Sequence, residues 1–111
     1  MTQESLGEFE HCVLAAVVHL DDEAYGVTIR HEIGERTGRD IAIGALYTSL
    51  DRLERKGYLR STMSDPTAQR GGRSKRYFTV TAAGARALQR SRERLLRMWD
   101  GLAPDARKAR L

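Results

Sequence analysis

The chain has 111 residues, 41% of them hydrophobic and 31% charged, and carries a net charge of +4. This is room for one domain that buries about two-thirds of its unfolded surface, and it excludes both a disordered polyampholyte and, with no apolar run of roughly 20 residues, a membrane-spanning chain. The start holds Glu4, Glu8 and Glu10 rather than a basic, apolar leader, so a cytoplasmic protein with no membrane role is expected.

The first segment reads as a helix. Leu6, Phe9, Val13, Ala16, Val17 and Leu20 recur at three-and-four spacing, and Cys12 and Leu14 widen that apolar face. A face so broad is expected to bury itself against more than one partner, its own domain and a second subunit. The acids Asp21-Asp22-Glu23 end it, and Asp21 or Asp22 is expected to cap a second helix from about Ala24. That helix has Val27, Ile29 and Ile33 inward, Arg30 and Glu35 outward, and an αL stop at Thr37-Gly38. After Gly38 to Ala42, a third helix follows on Ile43, Leu46, Leu50 and Leu53, ended by Gly57.

Two strand candidates come next, Tyr58 to Met63 and Arg76 to Val80, around a loop from Ser64 to Ser74 rich in turn formers. They predict a hairpin. Thr81 is a good N-cap for a last helix, in which Leu88, Ser91, Leu95, Met98 and Leu102 follow a seven-residue repeat with Trp99 beside the seam. Two heptads are too few for an independent coiled coil, so this helix is expected to form a homodimer together with the first one. The interface would draw on Leu6, Phe9, Val13, Leu88, Leu95, Met98, Trp99 and Leu102.

Three helices, a hairpin and a further helix are the order of a winged helix-turn-helix. The expected fold class is therefore mainly α with a small β-hairpin. Residues 1–80 form the winged helix-turn-helix and 81–111 the C-terminal dimerisation helix and tail. The charge pattern agrees with a polyanionic partner: residues 1–24 carry −6, residues 52–76 carry +6 and residues 77–111 carry +5.

A helix entering the major groove reads bases from its N-terminal half. With four apolar residues inward, Gly44, Thr48, Asp51, Arg52 and Arg55 point outward, with Ala45 and Tyr47 at the flanks. Gly44 and Ala45 keep the entering end thin. Thr48 can hydrogen-bond a base edge or a phosphate, and Arg52 either pairs with guanine or phosphate or stays a solvated cation beside neighbouring acids. Tyr47 either packs as core alone or packs its ring on the second helix while its hydroxyl reaches a phosphate. In the hairpin loop Gly71-Gly72 lacks the context of a Walker motif, and Arg70, Arg73 and Lys75 would lie beside the minor groove or its phosphates, or simply solvate the loop.

No catalytic constellation assembles from His11, His19, His31 and Cys12, so no enzyme is expected. With one cysteine and no metal-ligand spacing, neither a disulfide nor a cofactor is expected. Trp99, beside Leu95 and Met98, either closes the crossing of two symmetric helices or flanks a slot that accepts a planar ligand. The rival reading from another class is a winged helix that binds an acidic protein partner and reads no DNA.

The order and spacing of several short motifs resemble the PadR family of transcriptional regulators over roughly residues 6 to 88. They are Leu6-Gly7-Glu8-Phe9-Glu10, Tyr25-Gly26, Gly44-Ala45-Leu46-Tyr47 with Leu50 and Leu53, and Gly57-Tyr58-Leu59. Gly71-Gly72-Arg73, Lys75-Arg76-Tyr77 and Thr81-Ala82-Ala83-Gly84 complete the set. The resemblance implies a dimeric bacterial repressor that often releases DNA when a small molecule binds, and a two-fold dimer requires a pseudo-palindromic operator in double-stranded DNA. It also implies that an aromatic residue in the last helix, here Trp99, stacks planar aromatic compounds, as in short members of the family. Many relatives have proline where Thr48 stands.

Overall fold

The computed structural model describes residues 5–64 and 74–108, in the order α1 (Glu8–Leu20), α2 (Gly26–Thr37), α3 (Ile43–Arg55), β1 (Leu59–Met63), β2 (Arg76–Val80) and α4 (Ala82–Trp99). β1 and β2 form a two-stranded antiparallel hairpin with Leu59 opposite Val80 and Met63 opposite Arg76. The mainly helical winged helix-turn-helix expected from the sequence is the observed fold.

α1 is the hub because its broad apolar face serves several neighbours at once. Val13, Leu14, Ala16 and Val17 are buried, and the helix touches α2, α3, α4 and β2. Ile29 and Ile33 of α2, Leu46, Leu50 and Leu53 of α3, Leu59 and Phe78 complete one core. Gly38 stops α2 in the left-handed conformation (φ 75°), with its N–H bonded to the Gly34 carbonyl at 2.8 Å.

Several expectations need correction. Asp21–Glu23 form a 3₁₀ turn and do not cap α2. The cap is Tyr25, whose N–H donates to Thr28 Oγ1 (3.0 Å), while that hydroxyl donates to the Glu23 carbonyl (2.6 Å). α2 starts at Gly26 rather than Ala24 because Ala24 is drawn into the sheet: its carbonyl accepts the Phe78 N–H at 2.8 Å, and Tyr25 bridges to Tyr77. Val27 is outside, 66% exposed, because it stands opposite the buried Ile29 and Ile33 on the turn of α2. Ile43 is 41% exposed rather than inward, since it opens its helix ahead of the core contacts made by Leu46. Leu102 lies beyond α4, which ends at Trp99, so the last position of the seven-residue repeat is not helical.

α4 leaves the hairpin at a fixed angle. Thr81 Oγ1 accepts the Gly84 N–H (3.0 Å) and donates to the Gly57 carbonyl (2.6 Å). A Cβ on Gly84 would lie 2.1 Å from the Tyr58 carbonyl oxygen, so this helix–strand approach requires glycine. Beyond the buried Ala87 the helix runs out of the body, and every residue from Arg92 to Trp99 is exposed. The projection gives the molecule a longest dimension of 58 Å.

Candidate nucleic-acid interface

α3 divides cleanly into an inner face of Leu46, Ser49, Leu50 and Leu53 and an outer one of Gly44, Thr48, Arg52 and Arg55. Its entering end is thin: a Cβ added to Gly44 would meet nothing within 4 Å. Ala45 is exposed beside it. Thr48 is exposed, but its hydroxyl proton is committed to the Gly44 carbonyl at 3.0 Å, which leaves the oxygen as an acceptor. The Arg52 and Arg55 guanidinium groups form no salt bridge among the described residues, and Arg52 adds a favourable charge near Glu10.

Tyr47 faces back toward the body. It is half-buried against the core, and a Cβ on Gly26 would lie 2.3 Å from its hydroxyl, so the glycine makes room for the ring at the start of α2. This is the packing on the second helix that the sequence offered as one of two readings.

The wing base is built from a closed network that sequence reasoning missed. Arg76 on β2 donates to Asp51 (2.9 Å) and Glu54 (2.5 Å) of α3 and to Ser61 Oγ (3.2 Å) on β1, while its guanidinium lies 4.8 Å from the Phe78 ring centroid. Ser61 in turn donates to both Glu54 oxygens. Partial burial works against the Arg76 charge, but the bonds to Asp51 and Glu54 outweigh it and hold the group above its ordinary value. The two acids of α3 are thereby each paired with the Arg76 guanidinium. The sequence shows Asp51 and Glu54 three residues apart at the edge of a block of +6, but not which distant cation pairs with them.

Of the three wing cations, Arg70 and Arg73 lie outside the described residues. Lys75 is described, and its ammonium sits 4.2 Å from the centroid of the Tyr25 ring, which meets Tyr77 edge-on at 5.4 Å. It is engaged inside the wing base rather than at a loop tip. Lys75 and Ser64 close the hairpin through two bonds of 2.8 Å, from Ser64 N–H to the Lys75 carbonyl and from Lys75 N–H to Ser64 Oγ.

Residues expected at a subunit interface fall into two groups. Val13 is wholly buried within the protomer, and Leu6, Phe9 and Leu88 are half-buried against the same core. Ser91 shares a 2.7 Å hydrogen bond with His11 Nδ1 of α1. Leu95, Met98, Trp99 and Leu102 are exposed, Met98 at 76% and Trp99 at 53%. Cys12 is half-buried, with its thiol raised by burial and by the nearby Glu8. No cluster of metal-ligating side chains and no helix long and apolar enough to cross a membrane occurs among the described residues.

Residues 13–90 match the model of the family described as the transcriptional regulator PadR-like family. A PadR family transcription regulator from Clostridium difficile superposes with a TM-score of 0.71 at 21% identity, over 86% of this chain and 97% of that one. A PadR family transcriptional regulator from Eggerthella lenta gives 0.65 at 26% identity, over 80% and 75%. A transcriptional regulator from Clostridium thermocellum gives 0.69 at 22% identity, over 82% and 85%. No curated protein matches the chain significantly. The family match covers most of the chain and agrees with the observed fold: the chain belongs to the PadR-like family of transcriptional regulators, which are not enzymes.

Proposed function

We propose that this regulator acts in the cytoplasm as a homodimeric repressor, with residues 1–80 binding DNA and 81–111 joining the subunits. α3 enters the major groove through Gly44 and Ala45, with Thr48 and Arg52 at base edges or phosphates. Tyr47 supports the helix from behind. Arg70 and Arg73 meet the phosphates beside the wing, while Lys75 holds the wing base. The operator is a pseudo-palindrome with half-sites about 10 base pairs, or a multiple, apart, as two-fold symmetry requires.

The observation that carries the dimer is the outer half of α4. It is exposed from Arg92 to Trp99 yet carries Leu95, Leu96, Met98 and Trp99. A helix with no tertiary partner on its apolar side is marginal in water, and a second copy across a two-fold axis supplies one. Leu6, Phe9 and Leu88 add their exposed fractions to that contact, whereas Val13 has no surface to offer. Symmetric Trp99 rings beside Leu95 and Met98 would bound a slot for a planar aromatic effector, and its occupation would move the two α3 helices relative to successive grooves. The coupling expected of such a device is about 1–3 kcal/mol.

The test is Leu95→Arg with Met98→Arg, read by sedimentation and by operator binding. Both side chains are exposed in the protomer, so the variant should fold, sediment as a monomer and bind a half-site only weakly. A double variant that remains dimeric contradicts the assignment. Titrating Trp99 fluorescence with planar aromatic cations tests the effector: quenching should accompany loss of operator binding, and quenching without that loss leaves Trp99 as packing alone.

A further inference from the structure

We propose that the first turn of α3 reads thymine through its C5-methyl group, with Ile43 and Ala45 as the residues that set this specificity. The proposal rests on the DNA-binding reading above and concerns which base the entering helix selects.

From Ile41 through Leu46 no side chain carries a polar atom. Three of these residues, Ile43, Gly44 and Ala45, are exposed on the helix's first turn, and Ala42 before them is exposed as well. Side-chain hydrogen bonds therefore cannot begin base readout at the end of the helix that goes deepest. The next outward residue, Thr48, has given its proton to the Gly44 carbonyl, and Arg52, the first outward side chain with free donors, lies about one turn beyond Thr48.

Ile43 is 41% exposed although it opens a helix whose other large aliphatic residues are wholly buried. An isoleucine left in water at the tip of a groove-reading helix costs solvation that only an apolar contact recovers. In the major groove one base offers such a group, the thymine methyl; adenine, guanine and cytosine present donors and acceptors there. Gly44, with open space where its Cβ would be, lets the backbone come close enough for its two apolar neighbours to reach it. The polar edge of the adjoining pairs is left to Arg52 and to the Thr48 oxygen.

The experiment starts from duplexes enriched from a random pool by the wild-type protein. Each thymine of the half-site is then replaced by deoxyuridine, which removes the methyl but keeps the base pair, the O4 acceptor and the minor groove. Affinity should fall about fourfold for each methyl contacted, the value of one buried methyl-sized group. Ile43→Ala or Ala45→Gly should reduce that discrimination at its own position and leave the salt dependence of binding unchanged. An enriched duplex that is indifferent to deoxyuridine at every half-site thymine overturns this proposal and leaves DNA binding standing. A pool that yields no enriched sequence overturns both. Should either variant fail to fold, the wild-type comparison of thymine with deoxyuridine decides alone.

Discussion

Two glycines of this chain do opposite work, and alanine separates them. Gly84 sits where α4 crosses the end of β1, and a Cβ there would overlap the Tyr58 carbonyl oxygen at 2.1 Å. Gly84→Ala should cost about 2–3 kcal/mol of stability, the cost of forcing a backbone apart, seen as a lower midpoint in urea at unchanged slope. Gly44 has empty space around it and lies inside a helix, where alanine is favoured by about 0.5–1 kcal/mol. Gly44→Ala should therefore raise the melting temperature yet weaken operator binding, because the added methyl stands between backbone and groove. The same logic shows where the residue-level reading from sequence stopped. Periodicity placed Ile43 inward because it continues the three-and-four pattern, but the first residue of a helix precedes the core contact and stays wet. Val27 fails for a different reason: it stands about 200° round α2 from Ile29 and about 240° from Ile33, so burying those two turns it outward.

At the scale of elements, one ion pair on one side and a pair of them on the other fix α3. Glu10 of α1, buried, accepts from Lys56 Nζ at 3.1 Å and from the Gly7 N–H at 3.1 Å, which ties the start of α1 to the end of α3. Burial raises the Glu10 carboxyl, but the Gly7 N–H together with the Lys56 and Arg52 charges outweighs it and leaves the group below its ordinary 4.5. A lowered carboxylate contributes stability that is present above pH 4.5 and is lost as the pH falls through the lower folded value. Glu10→Gln should thus be less stable than wild type near neutrality by about 1–3 kcal/mol, and denaturant titrations should show the gap closing in acid. On the other side, Arg76 holds the hairpin to α3. Arg76→Met strands Asp51 and Glu54 as uncompensated acids, so DNA binding should weaken more than the roughly 1–2 kcal/mol lost from stability at this partly exposed site. Adding Asp51→Asn and Glu54→Gln should recover most of the binding. If binding stays lost in that neutral triple variant while the fold is intact, Arg76 acts through wing orientation rather than charge. Neither tie was readable in advance, since each joins residues 46 or at least 22 positions apart, whereas helix extents and the Thr81 cap follow from local chemistry and were legible.

Among the described residues one core holds α1, α2, α3 and the hairpin while the outer half of α4 is exposed, and charge of opposite sign gathers on different elements. Among the described residues, Glu8, Glu10, Asp21, Asp22 and Glu23 lie in or just after the hub helix, while Arg52 and Arg55 fall on α3, Arg60 and Arg76 on the hairpin strands and five arginines on α4. Fold class, element order and family were all legible, because amphipathic period, turn residues and short motifs each act within a few positions. The candidate site was legible in outline only. Gly44, Thr48 and Arg52 are exposed on the side their spacing required and Ala45, expected at a flank, is exposed as well, while Lys75 proves to be held on the Tyr25 ring, a contact across 50 positions. The central claim is that two copies of this chain present their α3 helices to one duplex. Selection of duplexes from a random pool, with the stoichiometry of the enriched complex measured by sedimentation, tests it most directly. The account predicts a pseudo-palindrome with half-sites about 10 base pairs, or a multiple, apart, bound by two chains, and a changed preference for Arg52→Ala. An enriched site without two-fold symmetry bound by one chain, or no enrichment above salt-sensitive background, would contradict it.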